Sequence, residues 1–315
     1  MTGLTLLTLG TMLACICAGS VNLPLSQTLT VIWNAVWGGP IPEGVGRSIL
    51  LSVRLPRVLC VALTGASLSL CGAAMQGLLR NPLADGSTLG VSSGAALGAV
   101  LAIALGVRFP ALPFAGTMVL AMAFAFVSLL LILSLAYGLD RSLSTNTIIL
   151  IGVIFTMFVH SLMSLILTFA GEKLKTITFW TLGSLSGSGY ENVLTLLCAL
   201  IVCGGVLLCR ARELNAFALG EESARHLGVN VRREKLTVLI AVSALIGVCV
   251  SIGGTIGFVG LVMPHMTRMI VGPNHRRLLP ASMFAGAVFL MLCDLVGRTV
   301  ANPLELPIGV VTSLI

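Results

Sequence analysis

Asp294 and Arg298 place an acid and a base one helical turn apart inside an apolar stretch near the end of the chain. Residues four apart on a helix face one another, and a carboxylate within an apolar segment is costly unless it is paired. The spacing predicts an ion pair in which Asp294 orients Arg298. A proton relay is the alternative chemistry, but no second carboxylate stands out inside an apolar run.

Arg54 and Arg57 flank Pro56 at the head of another apolar run. Planar guanidinium groups pair well with carboxylates, and such charges on a rim steer encounters with an acidic partner. The alternative is interfacial anchoring, in which the stem lies on apolar surface and the charged head reaches water.

The sequence gives little indication of a metal-binding or nucleotide-binding site. The nine cysteines lie mostly in apolar runs without a CxxC spacing, and the four histidines form no ligand pair at a recognised spacing. No GxxxxGK[ST] loop occurs, so the chain lacks a P-loop for nucleotide phosphates. We expect no catalytic residue, no metal site and no cofactor here.

The most polar stretch is residues 210–235, and its pattern predicts two short helices. Leu214 and Phe217 fall at helical spacing, Gly220 interrupts the run, Glu221 begins an acidic first turn, and Gly228 ends it. These helices would form either a docking surface at a membrane face or a solvated connection between two spans.

Composition decides what surrounds these residues. Hydrophobic residues make up 57% of the 315 and charged residues 9%, with a mean hydropathy of +1.07. Such a chain cannot coat a soluble globule, and its apolar runs are continuous rather than alternating. The sequence predicts an all-α polytopic membrane protein.

Ten membrane helices are predicted from runs of about 20 apolar residues. They fall near 4–21, 55–79, 88–107, 113–137, 144–170, 191–210, 235–254, 256–271, 279–300 and from 306 onward. No basic residue precedes Arg47, so the N-terminus is predicted to be the first span rather than a signal peptide. The tenth is expected to be cut short at Ile315.

Charge in the loops indicates the orientation. With a cytoplasmic N-terminus, eleven of the eighteen Lys and Arg residues lie inside, and seven, including Arg47 and Arg108, lie outside. The positive-inside rule favours this arrangement, which also accounts for the net charge of +7.

Seven blocks of sequence, in the same order along the chain, resemble the permease subunits of FecCD-type, type II ABC importers for ferric siderophores, haem and vitamin B12. They are residues 54–57, 76–85, 89–95, 219–225, 256–265, 274–280 and 305–309. The resemblance implies a single permease domain over 1–315, with ten helices per subunit in a two-fold homodimer or pseudo-dimer, and coupling helices at 211–230. It also implies two separate cytoplasmic ATPase subunits, which bind ATP and magnesium, and an extracytoplasmic substrate-binding protein.

The resemblance also implies roles for particular residues. Binding-protein docking maps onto Arg54, Arg57 and Arg298. ATPase coupling maps onto Leu214, Asn215, Leu219, Gly220, Glu221, Ser223, Ala224, Arg225, Leu227 and Gly228. The cytoplasmic gate maps onto Asn81, Leu83, Ser144, Thr145 and Asn146, where helix capping is a compatible alternative.

The sequence thus predicts the permease of an ATP-driven importer in the plasma or inner membrane, with a ferric siderophore or related metal chelate as the expected substrate. The alternative is an ion-coupled secondary transporter, which requires titratable residues along its path. Haem, vitamin B12 and oxyanions such as molybdate stay open as substrates.

Overall fold

The computed structural model describes residues 2–19, 25–37, 39, 48–107, 115–141, 143–301 and 304–315. These residues form helices and turns without a β-strand, which confirms the all-α prediction for the described part of the chain. The helices are α1 Thr2–Cys17, α2 Leu25–Trp37, α3 Ile49–Leu79, α4 Val91–Leu105, α5 Ala115–Leu139, α6 Thr145–Phe169, α7 Leu174–Thr181, α8 Tyr190–Cys209, α9 Ala211–Ala218, α10 Glu221–His226, α11 Val231–Gly253, α12 Val259–Val271, α13 His275–Thr299 and α14 Ile308–Leu314.

Helices occupy the positions of the predicted spans. Six of the described helices, α3, α5, α6, α8, α11 and α13, are long and apolar enough to cross a membrane, while α1, α4 and α12 are shorter apolar helices. The start of the fourth predicted span, together with Arg47 and Arg108, lies outside the described residues.

Two helices were not predicted, and one begins earlier than predicted. Helix α2 has 13 residues with polar Ser, Gln, Thr and Asn among its apolar ones, and α7 has only eight residues, so neither matches a membrane-length run. Helix α3 begins at Ile49 rather than at 55 because a π-helical turn precedes Pro56, with the Leu55 N–H donating to the Leu50 carbonyl. That wider turn keeps the chain helical up to the proline.

Helix α3 lies at the centre of the packing. In its most apolar window 83% of the residues are buried, against 28% in each of α5 and α6. Helices α12 and α13 both pack against α3.

Glycine pairs allow these backbones to approach closely. A Cβ built on Gly65 would collide with the Gly286 carbonyl of α13, and one built on Gly72 would collide with the Gly260 carbonyl of α12. Small residues at helix crossings in membranes permit this close van der Waals packing. The two crossings fix α12 and α13 against α3.

Helix α3 also separates two polar regions. Arg54 and Arg57 lie near its beginning, and Arg80 follows its end in the left-handed conformation, with a φ of 53°. The 25 residues from Leu55 to Leu79 span about 37 Å at a rise of 1.5 Å per residue.

Candidate functional site

The first polar region is an arginine cluster, made of Arg54, Arg57 and Arg298 with the carboxylates of Asp294 and Glu305. Arg57 bridges the two acids: its Nε donates to Asp294 Oδ1 at 3.0 Å, and its Nη1 donates to Glu305 Oε2 at 2.9 Å. Glu305 was not singled out from the sequence, and its side chain is 46% exposed. The cluster therefore reaches the surface through Glu305.

Asp294 is the buried centre of the cluster. Its Oδ1 faces Arg57, and its Oδ2 lies 2.9 Å from Arg298 Nε, at the four-residue spacing noted in the sequence. The side chains of Asp294 and Arg298 are 3% and 5% exposed. A carboxylate held between two guanidinium groups is compensated for the loss of water.

The other contacts of the arginines lie at the end of α1. Arg54 Nη1 donates to the carbonyls of Ile16 and Cys17, each at 3.0 Å, and Arg298 Nη2 donates to the Cys15 carbonyl at 3.1 Å. The last carbonyls of a helix lack intrahelical partners and carry partial negative charge, so cations suit this position. All three residues expected to dock a binding protein are thus buried and hydrogen-bonded within the subunit.

The second polar region is the short-helix segment, residues 211–228, which contains α9 and α10. Gly220 joins the two helices with a φ of +113°, a conformation that a side chain would strain. Leu214, Phe217 and Ala224 are fully buried and hold the segment against the subunit. The opposite face leaves Leu219, Ser223, Arg225, Leu227 and Gly228 exposed.

Two of the exposed residues are large and apolar. Leu219 is 68% and Leu227 64% exposed. Flanked by Ser223 and Arg225, they present a mixed apolar and polar surface of the kind that proteins use for contacts with partners.

Glu221 connects α10 to two other parts of the chain. Its Oε1 lies 2.7 Å from Lys235 Nζ, near the start of α11, and accepts a hydrogen bond of 3.4 Å from Thr145 Oγ1. Lys235 Nζ also donates to the Leu143 carbonyl at 2.8 Å. Lys235 could not be singled out from the sequence, because its contacts with Glu221 and Leu143 arise only from tertiary packing.

Asn215 connects α9 to α13. Its Oδ1 accepts from the backbone N–H of His275 at 2.9 Å, and its Nδ2 donates to Asn274 Oδ1 at 3.0 Å. The imidazole of His275 is buried beside Gly77, where a Cβ would collide with Nε2. Helix α9 is therefore tied to the start of α13, close to the end of α3.

The predicted gate residues lie in two turns beside the short-helix segment. The Asn81 side chain accepts from the Leu83 N–H at 2.9 Å, and Leu83 is 69% exposed. Ser144 caps α6, with its Oγ accepting from the Thr147 N–H at 3.4 Å, while Asn146 is exposed. Asn81 and Ser144 thus order their local turns, and Thr145 contacts Glu221.

Among the described residues, no group of three or more His, Cys, Asp or Glu side chains is placed to hold a metal ion. The nine cysteines, all described, are free thiols, and five of them are buried.

Comparison with known proteins decides the family, because the FecCD transport family matches residues 6–315. The chain belongs to the FecCD transport family. This confirms the family predicted from the seven sequence blocks. A FecCD-family chain of this kind is the multi-pass permease subunit of an ABC importer.

Two curated relatives resemble this FecCD-family chain over most of their length. An uncharacterised ABC transporter permease, YvrB of Bacillus subtilis strain 168, is 44% identical over 301 residues, 95% of this chain and 85% of YvrB. The cobalamin import permease BtuC of Halobacterium salinarum is 39% identical over 287 residues, 91% of this chain and 76% of BtuC.

A solved structure supports the FecCD fold independently. An inward-facing conformation assigned to a metal-chelate type ABC transporter superposes with a TM-score of 0.87 at 34% identity. The match covers 100% of this chain and 94% of that one.

Proposed function

We propose that this permease imports a ferric siderophore or a related metal chelate, working as a homodimer with two ATPase subunits and a substrate-binding protein. ATP is hydrolysed by the separate ATPase subunits, and the N-terminus lies in the cytoplasm. The similarity to a cobalamin permease and to a metal-chelate transporter supports a chelate as substrate, because cobalamin is itself a metal chelate.

The observation that carries the ATPase role is the shape of the short-helix segment. One face is anchored by fully buried Leu214 and Phe217, and the other exposes Leu219 and Leu227. An anchored element with an exposed apolar face can accept a motor subunit and transmit its motion. In this proposal the ATPase binds that face.

The arginine cluster is the proposed site of the binding protein. Arg57 is held by buried Asp294 on one side and by half-exposed Glu305 on the other. An acidic residue of the binding protein can replace Glu305 without breaking the buried pair. Replacing one acidic partner of Arg57 by another contributes to the specificity and the rate of association of the two proteins more than to their affinity.

The secondary-transporter alternative receives no support from the geometry. Asp294, the acid inside an apolar run, is bound by Arg57 and Arg298 and stabilises the packing of α3 against α13. A proton carrier would have to give up both contacts in every cycle. We therefore favour a structural role for this carboxylate.

The proposed function is tested by reconstituting the permease with its ATPase and binding protein in liposomes, and measuring uptake of a radiolabelled ferric siderophore and, in parallel, of labelled cobalamin. We expect uptake to require ATP on the side of the membrane that carries the 211–228 segment. Uptake that continues without ATP and stops when the proton gradient is collapsed would refute the proposal.

Matched variants separate the two docking surfaces. Leu227→Asp should abolish co-purification of the ATPase, whereas Leu304→Asp, a change at an even more exposed leucine beside the arginine cluster, should not. Arg57→Glu should abolish binding of the binding protein, whereas Lys175→Glu, at an exposed cation of α7, should preserve it.

A further inference from the structure

The turn before α6 has an unusual backbone. Leu143 adopts a φ of +53° although it is not glycine, and its side chain is buried. A non-glycine residue in this region is strained and persists only where surrounding contacts hold it. In this turn the Leu143 carbonyl accepts a hydrogen bond from a distant side chain.

That carbonyl is bound by a buried ammonium group. Lys235 Nζ donates to Leu143 O at 2.8 Å and lies 2.7 Å from Glu221 Oε1, and the lysine side chain is 1% exposed. A charge removed from water must be paired and hydrogen-bonded. Lys235 therefore holds three elements together: the turn before α6, α10 and the start of α11.

Thr145 closes the same contact from the side of α6. Its Oγ1 donates to Glu221 Oε1 at 3.4 Å, on the same oxygen that faces Lys235. One carboxylate oxygen of α10 is thus shared by a lysine of α11 and a threonine of α6. Displacing α10 must either move these partners or break both contacts.

Helix α9 is fixed to a different part of the subunit. Asn215 binds Asn274 and His275 at the start of α13, and Gly220 separates α9 from α10. Glycine at a φ of +113° tolerates rotation that other residues would resist. The two short helices are consequently attached to different structural units, with a glycine between them.

We propose that Lys235 is a positioning residue that transmits displacement of α10 to the residues at the start of α6. This inference rests on the proposed function, because it requires an ATPase that displaces α10. Motion of α10 about Gly220 carries Glu221, and Lys235 and Thr145 follow it. The Leu143 turn then changes its backbone conformation, and the start of α6 shifts relative to α13.

The experiment uses two cysteine reporters in the complex of permease and ATPase, reconstituted in nanodiscs, with exposed Cys198 and Cys209 replaced by serine. The His226→Cys reporter lies at the end of α10, and the Asn146→Cys reporter lies at the start of α6; both positions are exposed. The rate of labelling by a hydrophilic maleimide is measured without nucleotide and after trapping with MgATP and vanadate.

We expect Lys235→Met to preserve the nucleotide response at the His226→Cys reporter and to reduce the response at the Asn146→Cys reporter by about tenfold, within the range typical of coupling between sites. Lys235→Arg, which retains a cation with several donors, should restore part of the response. Lys173→Met is the matched control, because Lys173 Nζ also donates to a backbone carbonyl, that of Ala104, at 2.8 Å.

An undiminished response at the Asn146→Cys reporter in Lys235→Met would overturn the inference while leaving the proposed function intact. Loss of the response at the His226→Cys reporter in the parent protein would instead overturn the proposed function, and the inference with it. If Lys235→Met does not assemble, Lys235→Gln, which removes the charge but keeps a polar amide at the buried position, is read in the same way.

Discussion

Arg57 donates a hydrogen bond of 3.0 Å to Asp294 although 237 residues separate them in the chain. The bond joins α3 to α13 at a point where both side chains are nearly inaccessible to water. Together with the glycine contact between Gly65 and Gly286, it fixes how these two central helices lie against each other.

Asp294→Asn should destabilise the protein strongly. The change leaves Arg57 and Arg298 buried without their shared counter-charge, and breaking a buried ion pair costs about 3–5 kcal/mol. Thermal unfolding in detergent micelles measures the loss. Glu305→Gln is the control: its side chain is 46% exposed, so we expect a loss of about 1 kcal/mol or less. Equal losses in the two variants would contradict the central position of Asp294.

Gly72→Ala should disrupt the crossing of α3 and α12. The added methyl group would collide with the Gly260 backbone carbonyl, which cannot move as a flexible side chain can. Overpacking typically costs about 1–3 kcal/mol, and separation of two backbones lies at the upper end. Gly205→Ala is the matched control, because a Cβ there meets nothing within 4 Å. Thermal unfolding should distinguish the two, and a similar melting temperature would show that α12 can shift.

Much of the helical arrangement could be predicted from the sequence, and the reason is physical. A bilayer requires long apolar helices, so the positions of helices such as α6 and α11 can be predicted from their apolar runs. Helix α2 was not predicted because its polar residues leave it without a membrane-length apolar run. The early start of α3 was not predicted because a proline usually marks the beginning of a helix.

The polar contacts were harder to predict. The pairing of Asp294 with Arg298 follows from local helical periodicity, whereas Lys235 and Glu305 acquire their partners only through tertiary packing. Arg57 lies 248 residues from Glu305, and Lys235 lies 92 residues from Leu143. A periodic pattern indicates which residues share one face of a helix. It does not indicate which other helix packs against that face.

Gly220→Ala should impair the short-helix segment. Alanine at a φ of +113° is strained by about 1–3 kcal/mol, so α9 and α10 would change their relative orientation. We expect ATPase association, measured by co-purification, to be lost, while the melting temperature of the permease falls only modestly. Gly187→Ala provides the comparison, since a Cβ there meets nothing within 4 Å and no positive φ is required. Normal ATPase association in Gly220→Ala would argue against a conformational requirement.

Asn215→Ala should weaken the attachment of α9 to α13. The change removes the acceptor of the His275 N–H and the donor to Asn274, and a buried polar group left without a partner costs about 1–3 kcal/mol. Proteolysis within 211–228 should become faster, because the segment detaches more often. Arg212→Ala, at an exposed position on the same helix, should leave the rate unchanged. If both variants are cleaved alike, Asn215 is not the anchor.

Helix α3 carries Arg57 near one end and precedes Arg80 at the other, with most of its length enclosed by neighbours. If α3 tilts as a rigid unit, a tilt of about 5° over its length of about 37 Å displaces the far end by roughly 3 Å. A force applied at Arg57 would then reach the turn containing Asn81 through α3 alone, without successive rearrangements of other elements.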